Sequence, residues 1–289
     1  MGAGMAQCLL RASYPLRVWN RSADKAAPLV NAGAVGCSSP EEAVAGANLV
    51  ISSLMDDASL RAVFDESLLR KMTPNAIHLC TTTISPECAE WLAEQHRTHG
   101  TRYVSGPVVG RPDAAARGAL LQFFSGDAGA IEEAQPVCQA FAPTQLVIPG
   151  PAGIANSQKL CVNFFAISLI EAMAECYTLA EKTGASAAIM ADFFEHALAH
   201  PGLKSYARRM LNRETGGTGG FSMRGGLKDV RLMQQAAKSA DCPLELADLI
   251  EGKMVECMAR GLGEADWSAL QEATRARAHL DAKSGAIAS

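Results

Sequence analysis

The sequence predicts an α/β domain with a mainly parallel sheet, followed by an all-α C-terminal domain. Two observations carry this expectation. In the first half, short β-rich runs alternate with helical stretches, the pattern of a mainly parallel sheet with helices on both faces. After Pro149-Gly150-Pro151 the strand texture ends, and apolar residues recur at helical spacing. The expected boundary separates residues 1–150 from 151–289.

The elements follow in order. "MGAGMAQCLL" opens as a helix start carrying Gly2 and Gly4, with no strand ahead of it. The strand candidates are "LRVWN" (16–20), "NLVISSL" (48–54), "AIHLCTT" (76–82), "RYVSGPVV" (102–109), "ALLQFFSG" (119–126) and "QLVIPG" (145–150). "SPEEAVAGA" and "SPECAEWLAEQHR" each begin with a Ser cap and a Pro at the first helical position. In the second half, "LIEAMAECYTLAEKTG" ends at Gly184 in the manner of a helix C-cap. "ETGGTGGFSMRGG" (214–226) reads as a Gly-rich loop between helices.

Composition bounds the function. The 289 residues suffice for two domains, and 48% hydrophobic with 19% charged residues suits a globular chain rather than a disordered one. The formal net charge of −4 gives no basic footprint for nucleic acid. An anionic ligand would have to be met by a few local Lys and Arg residues. The most apolar run, "LCVNFFAISLIEAMAECYTLA", carries Asn163, Ser168, Glu171 and Glu175, so it reads as a buried helix rather than a membrane span. No basic start followed by a long apolar run suggests a secretory signal. The nine cysteines are scattered, without a CxxC or metal-type cluster, which points to reduced thiols in a cytoplasmic protein. No metal is expected: His196 and His200 share a helix spacing but lack a carboxylate or Cys set, and read as flanking a helix end at Pro201.

Several stretches carry chemistry. In "VWNRSADK" a strand ends in Asn20, Arg21 and Ser22, with Lys25 one turn later. NAD-binding folds usually place an Asp or Glu here for the ribose hydroxyls, whereas Arg and Lys beside a hydroxyl suit a 2′-phosphate. The same residues also read as a solvated turn. In "GPAGIANSQKLCVNFF", Lys159 and Asn163 are four apart and share a helix face. A Lys in such apolar surroundings is partly desolvated, with a lowered pKa expected, and could give a hydrogen bond or proton to a substrate oxygen. The alternative is a Lys snorkelling to the surface. Lys228, beside Asp229, follows a glycine loop and heads a helix; it could close over a cofactor or be a first-turn surface residue. "CTTTISPE" puts Thr81 to Thr83 at a strand's C-terminal end, where open α/β sheets bind ligands, and Ser85 also reads as a helix cap. Gly106-Pro107 and Gly110 follow another strand, in a loop able to offer backbone N–H groups to a carboxylate or to serve as a plain turn.

Taken together, these stretches resemble the β-hydroxyacid dehydrogenase family, of the 3-hydroxyisobutyrate dehydrogenase and glyoxylate/succinic semialdehyde reductase type. The resemblance runs through nearly the whole chain, to "GLGEADWSAL" (261–270). "MGAGMAQCLL" is similar to the end of the family's Gly-x-Gly-x-x-Gly helix start, and "WNRS" with Lys25 to its NADPH-preferring version. "TTTISP", "GPVVGRPDAAARGAL", "GIANSQKLCVN" and "FSMRGGLKD" match the family's later motifs in order. The resemblance implies a Rossmann-type first domain, a helical domain for substrate and dimerisation, and a site between them on a shared long helix. It implies an oxidoreductase using NADPH/NADP rather than NAD, with a small carbonyl or hydroxy compound as substrate, no nucleic acid or membrane partner, and a homodimer or homotetramer.

The implied roles follow the matched positions. Lys159 would polarise and protonate the carbonyl oxygen during hydride transfer, and assist deprotonation in reverse. Asn163 would orient the substrate, while Pro107, Val109 and Gly110 would hold its carboxylate. Gly2, Asn20, Arg21, Ser22 and Lys25 would bind the cofactor at one end. Leu54, Met55 and Thr83 would bind it further along, with Phe221 and Lys228 covering the nicotinamide from the helical domain.

Three departures qualify the likeness. The usual Pro-Val-Ser-Gly is Pro107-Val108-Val109-Gly110, which removes a hydroxyl donor and could admit a less polar substrate. The usual Asn-Asn pair is Val162-Asn163, and the second glycine of that stretch is Ala155. The family's first strand and first two fingerprint glycines do not precede Met1. Such a strand would sit near the sheet centre, so its neighbours would lose backbone partners. The expectation is that a strand and a Gly-x-Gly lie upstream and that Met1 is an internal methionine. Two other readings remain: a truncated, non-catalytic scaffold or binding protein of the same fold, and an imine-reductase-like enzyme, against which the Lys-x-x-x-Asn pair counts.

Overall fold

The computed structural model describes residues 1–198, 201–215, 220–239 and 244–280, with the backbone alone at 175, 179, 182, 201–203 and 207. His200 and positions 216–219 of the expected glycine loop lie outside the described residues. The chain forms two compact units, Met1–Leu160 and Cys161–Ser289. The division falls ten residues beyond the Pro149-Gly150-Pro151 signal because the first two turns of a long helix pack on the α/β unit.

The α/β unit runs α1 (Gly2–Arg11), β1 (Arg17–Val18), α2 (Ala27–Asn31), β2 (Val35–Gly36), α3 (Pro40–Val44), β3 (Leu49–Ser52), α4 (Asp57–Val63) and α5 (Glu66–Leu69). It continues with β4 (Ile77–Cys80), α6 (Pro86–Thr98), β5 (Arg102–Ser105), β6 (Val108–Val109), α7 (Pro112–Arg117), β7 (Leu121–Gly126), α8 (Ala128–Cys138) and β8 (Thr144–Val147). Ser39 and Ser85 cap α3 and α6, each accepting a hydrogen bond from the backbone N–H three residues on, with Pro in the first turn.

The sheet is mainly parallel, as expected, with two differences. β3, β4 and β5 pair in parallel, with Ser52, Cys80 and Ser105 in register. β7 then runs antiparallel to both β5 and β6, and β8 returns parallel to β7. The second difference is a break. β1 pairs with β2 in a separate two-stranded ribbon, so β1 and β3 each have a ladder partner on one side only. The expected continuous strand over 102–109 is also interrupted: Gly106 and Pro107 separate β5 from β6, and Pro has no N–H for a ladder.

Alternation along the strands builds two cores. Ile77, Leu79 and Val104 join Met5, Leu9, Phe124 and Ile131 on the face covered by α1 and α8. Cys80 and Tyr103 join Leu60, Phe64, Leu68 and Leu92 on the face covered by α4, α5 and α6. Helices on both faces of a largely parallel sheet are the doubly wound arrangement.

The helical unit comprises the rest of α9 (Gly153–Thr183), then α10 (Ala187–Ala197), α11 (Pro201–Leu211), α12 (Met223–Ser239), α13 (Glu245–Ala259) and α14 (Leu270–Arg277). α9 ends at Gly184, whose φ is +73°. It is long and apolar enough to span a bilayer by length and composition. Yet it buries Glu171, which pairs with the buried Lys253 of α13. α12 begins at Met223, so Gly225 and Gly226 are helical rather than loop and Lys228 lies in the second turn. Met223, Leu227, Val230 and Met233 form its buried face at helical spacing.

Candidate active site

In parallel sheets, ligands bind beyond the carboxyl ends of the strands. In the α/β unit those ends carry Asn20–Ser22 after β1, Ser53–Met55 after β3, Thr81–Thr83 after β4 and Gly106–Pro107 after β5. Hydrogen bonds hold the ends level. Thr81 Oγ1 donates to Ser52 O at 2.8 Å, and the Leu54 N–H donates to Thr82 Oγ1 at 2.9 Å. The Gly106 N–H donates to Cys80 O at 2.8 Å. Thr83 is half-buried and Met55 is exposed.

The first turn of α1 lies at the same edge. A Cβ on Gly2 would come 3.1 Å from Ser53 Cβ, so the glycine permits close approach of the helix start to the end of β3. A helix N-terminus beside strand ends offers backbone N–H groups to a pyrophosphate. Asn20 Oδ1 accepts from the Ser22 N–H at 3.0 Å, which shapes the turn. Arg21 and Lys25 are exposed around it. The donor set of two cations and a hydroxyl on a built turn fits a phosphorylated ribose.

The expected substrate loop is partly strand. Val108 and Val109 pair with Gln122 and Leu121 of β7, and Pro107 O accepts from the Phe123 N–H at 3.1 Å. Within the expected 106–110 loop, the backbone of Val108 and Val109 is therefore bound in a ladder. Gly110 follows at φ +143°, where a side chain would also strike Leu120.

Lys159 lies in the second turn of α9 with 7% exposure. The start of that helix is bonded into the α/β unit. Glu90 Oε1 accepts from the Gly153 N–H at 2.7 Å. Ser125 Oγ donates to Ala152 O at 2.6 Å and accepts from the Ala155 N–H at 3.0 Å. A Cβ on Gly153 would meet Pro86 O at 2.8 Å, so only glycine lets α9 approach the start of α6 this closely. Two of the first helical N–H groups, those of Gly153 and Ala155, are thus satisfied by side chains of α6 and β7.

In the helical unit, Asn163 is 8% exposed and its Nδ2 donates to Asp229 Oδ2 at 2.5 Å. A carboxylate has nothing to donate, so the amide cannot flip and its nitrogen stays on Asp229. Lys228 Nζ lies 2.8 Å from the other oxygen, Asp229 Oδ1. Phe221 sits edge-on to Trp267 with centroids 4.8 Å apart, and its N–H donates to the buried Asp266 Oδ2 at 3.1 Å. Asp229 thus holds Asn163 and Lys228, and Asp266 holds Phe221. The motif "FSMRGGLKD" signals the first in sequence, but nothing local signals the second.

The comparisons agree with this architecture. Residues 1–150 match the NAD binding domain of 6-phosphogluconate dehydrogenase. Residues 153–274 match the NAD-binding domain of NADP-dependent 3-hydroxyisobutyrate dehydrogenase. The uncharacterized oxidoreductase YfjR of Bacillus subtilis (strain 168) is 34% identical, over 93% of this chain and 95% of its own. Glyoxylate/succinic semialdehyde reductase 1 of Arabidopsis thaliana is 28% identical, over 95% of each chain. The crystal structure of 3-hydroxyisobutyrate dehydrogenase from Salmonella typhimurium shares the fold, with a TM-score of 0.85 at 24% identity, over 94% of this chain and 95% of that one. The chain belongs to the β-hydroxyacid dehydrogenase family and is an NAD(P)-dependent oxidoreductase acting on CH–OH groups.

Proposed function

We propose that the chain is an NADPH-dependent reductase of a small carbonyl compound, a semialdehyde or keto acid, with the matching 3-hydroxy acid as substrate in reverse. The observation that carries this reading is Lys159, a buried ammonium on a helix start bonded into the α/β unit at α6 and β7. Burial limits the water that would compete for a substrate oxygen, and the lysine at this position is assigned to that oxygen. Lys159 donates to the carbonyl oxygen and passes it a proton as negative charge develops. In the opposite direction it takes the hydroxyl proton. Bound NADPH supplies the hydride. Asn163, its amide set by Asp229, orients the oxygen-bearing group. Pro107, Val109 and Gly110 hold the rest of the substrate, and Val109 favours a less polar group than a hydroxyl side chain would.

Arg21, Ser22 and Lys25 hold the 2′-phosphate on the turn that Asn20 shapes, and Gly2 admits the pyrophosphate to the start of α1. Leu54, Met55 and Thr83, with Phe221 and Lys228 of the helical unit, are further cofactor contacts. The test is a panel of aldehydes and keto acids, read as loss of reduced-nicotinamide absorbance. NADPH should exceed NADH in kcat/KM by about tenfold or more, and Arg21→Ala should remove most of that difference. A preference for NADH in the unaltered protein would overturn the cofactor assignment.

A homo-oligomer in the cytoplasm completes the proposal. Cys161, Phe165, Ala172 and Cys176 form an exposed stripe on one face of α9 that carries no charge, and Phe165 is 62% exposed. A second copy is the occupant this uncharged stripe suits. Sedimentation velocity should show a dimer or larger species, shifted toward monomer by Phe165→Glu. A monomer in the unaltered protein would refute it.

A further inference from the structure

We propose that Asn156 is a positioning residue for Lys159. It lies one turn before that lysine on α9 and is 1% exposed. Its two polar ends are used on two different elements. Nδ2 donates to Ser105 Oγ, at the end of β5, at 2.6 Å. Oδ1 accepts from the Ile84 N–H at 3.3 Å. Ile84 immediately follows Thr83 in the loop after β4. One side chain therefore ties the helix turn before Lys159 to the loop carrying Thr83 and to the neighbouring strand end.

The orientation of the amide is determined. The Ile84 N–H can only donate, so the Asn156 oxygen must face it and the nitrogen must face Ser105. The Glu90 and Ser125 bonds hold the first turn of α9 at its axis. Asn156, at the end of that turn, adds a lever that sets the rotation of the helix about that axis. Lys159 projects from the same stretch, so a small rotation displaces its Nζ at the end of a long stem. Misplacement of a catalytic group by about 1 Å can cost about 100-fold in rate. Asn156 is assigned no contact with substrate or cofactor and acts through Lys159.

This inference rests on the proposed role of Lys159, and the experiment separates the two. Asn156→Ala, Ser105→Ala and the double variant are compared with Lys159→Ala in the full-length protein. Asn156→Ala should lower kcat about 10- to 100-fold. KM for NADPH should stay within about twofold. The isotope effect from hydride-deuterated NADPH should rise, since a misplaced lysine makes hydride transfer slower relative to product release. Ser105→Ala should give a smaller loss and add little in the Asn156→Ala background. Hydrogen exchange at the Ile84 amide should quicken in Asn156→Ala, a readout independent of turnover. An unchanged isotope effect with kcat reduced only in proportion to the folded fraction would overturn the positioning role. So would wild-type kcat in a folded Asn156→Ala. If Lys159→Ala itself retains turnover, the reading of the site fails first.

Discussion

Lys159→Ala is expected to lower kcat by about 1,000-fold while leaving the dissociation constant for NADPH within about twofold of its original value. That loss corresponds to about 4 kcal/mol of transition-state stabilisation. The expectation follows from what the side chain can do where it sits. The Lys159 side chain is 7% exposed and so largely shielded from bulk water. On the proposed mechanism, alanine would remove both the donor to the carbonyl oxygen and the proton source, and water entering the gap would be a weaker acid with no fixed orientation. Lys159→Met separates chemistry from packing: it keeps the apolar stem and should be as inactive as alanine. Lys159→Arg keeps the charge but cannot release a proton at neutral pH, so it should also fail. Fluorescence titration with NADPH and a thermal melt establish that the variants are folded and bind cofactor. Turnover by Lys159→Met within tenfold of the unaltered protein would remove Lys159 from the chemistry.

The features that carry this expectation differ in how far the sequence reveals them. Lys159 and Asn163 are legible because their spacing of four on an apolar run is local. The caps at Ser39 and Ser85 and the stop at Gly184 are legible for the same reason. Asn156 and Asp266 are not, because their partners stand 51 and 45 residues away; Asp229 shows in "FSMRGGLKD", but its bond to Asn163, 66 residues away, does not. β2 escapes because Val35 and Gly36 form no β-rich run and find their pairing only against β1. The antiparallel course of β7 escapes because composition carries no strand direction. Gly225 and Gly226 suggest a loop, but a Cβ on Gly226 would come 2.9 Å from Met254 Cε and 3.0 Å from Trp267 Cε3. Gly226 serves close packing of α12 on its neighbours, a tertiary requirement that overrides helix propensity.

Stability should fall by about 2–3 kcal/mol between pH 7.5 and pH 5.5, through two histidines that the sequence shows only as members of a strand and a helix. His78 and His96 are fully buried in the α/β unit. Ser52 Oγ, His78 Nε2, His78 Nδ1, His96 Nε2, His96 Nδ1 and Thr101 Oγ1 form a chain with three contacts of 2.8 Å. His78 stacks on Phe64 with centroids 3.7 Å apart, and His96 stacks on Tyr103 at 5.7 Å. The link between the two rings accommodates one proton, with one nitrogen donating and the other accepting. Charging both rings would set two N–H groups against each other in an apolar core. Burial, and then the charge of its neighbour His96, hold the His78 pKa well below its ordinary value. Burial, and then His99, push that of His96 down to about 3. Once unfolded, both rings titrate near the ordinary value of about 6.5. Below that pH the unfolded chain binds protons that the folded chain refuses. The contribution is therefore complete above about pH 6.5 and is lost progressively as pH falls toward 3, at up to about 1.4 kcal/mol per pH unit per ring. The window from 7.5 to 5.5 stays above the titration of ordinary carboxylates. Urea unfolding at the two pH values measures the slope, and His96→Gln should remove about half of it whatever its effect on absolute stability. Proton resonances of the two rings should show no titration over the same range. A flat stability profile, or ring signals titrating near pH 6.5, would show that the dyad accepts a proton in place and that the buried chain tolerates the charge.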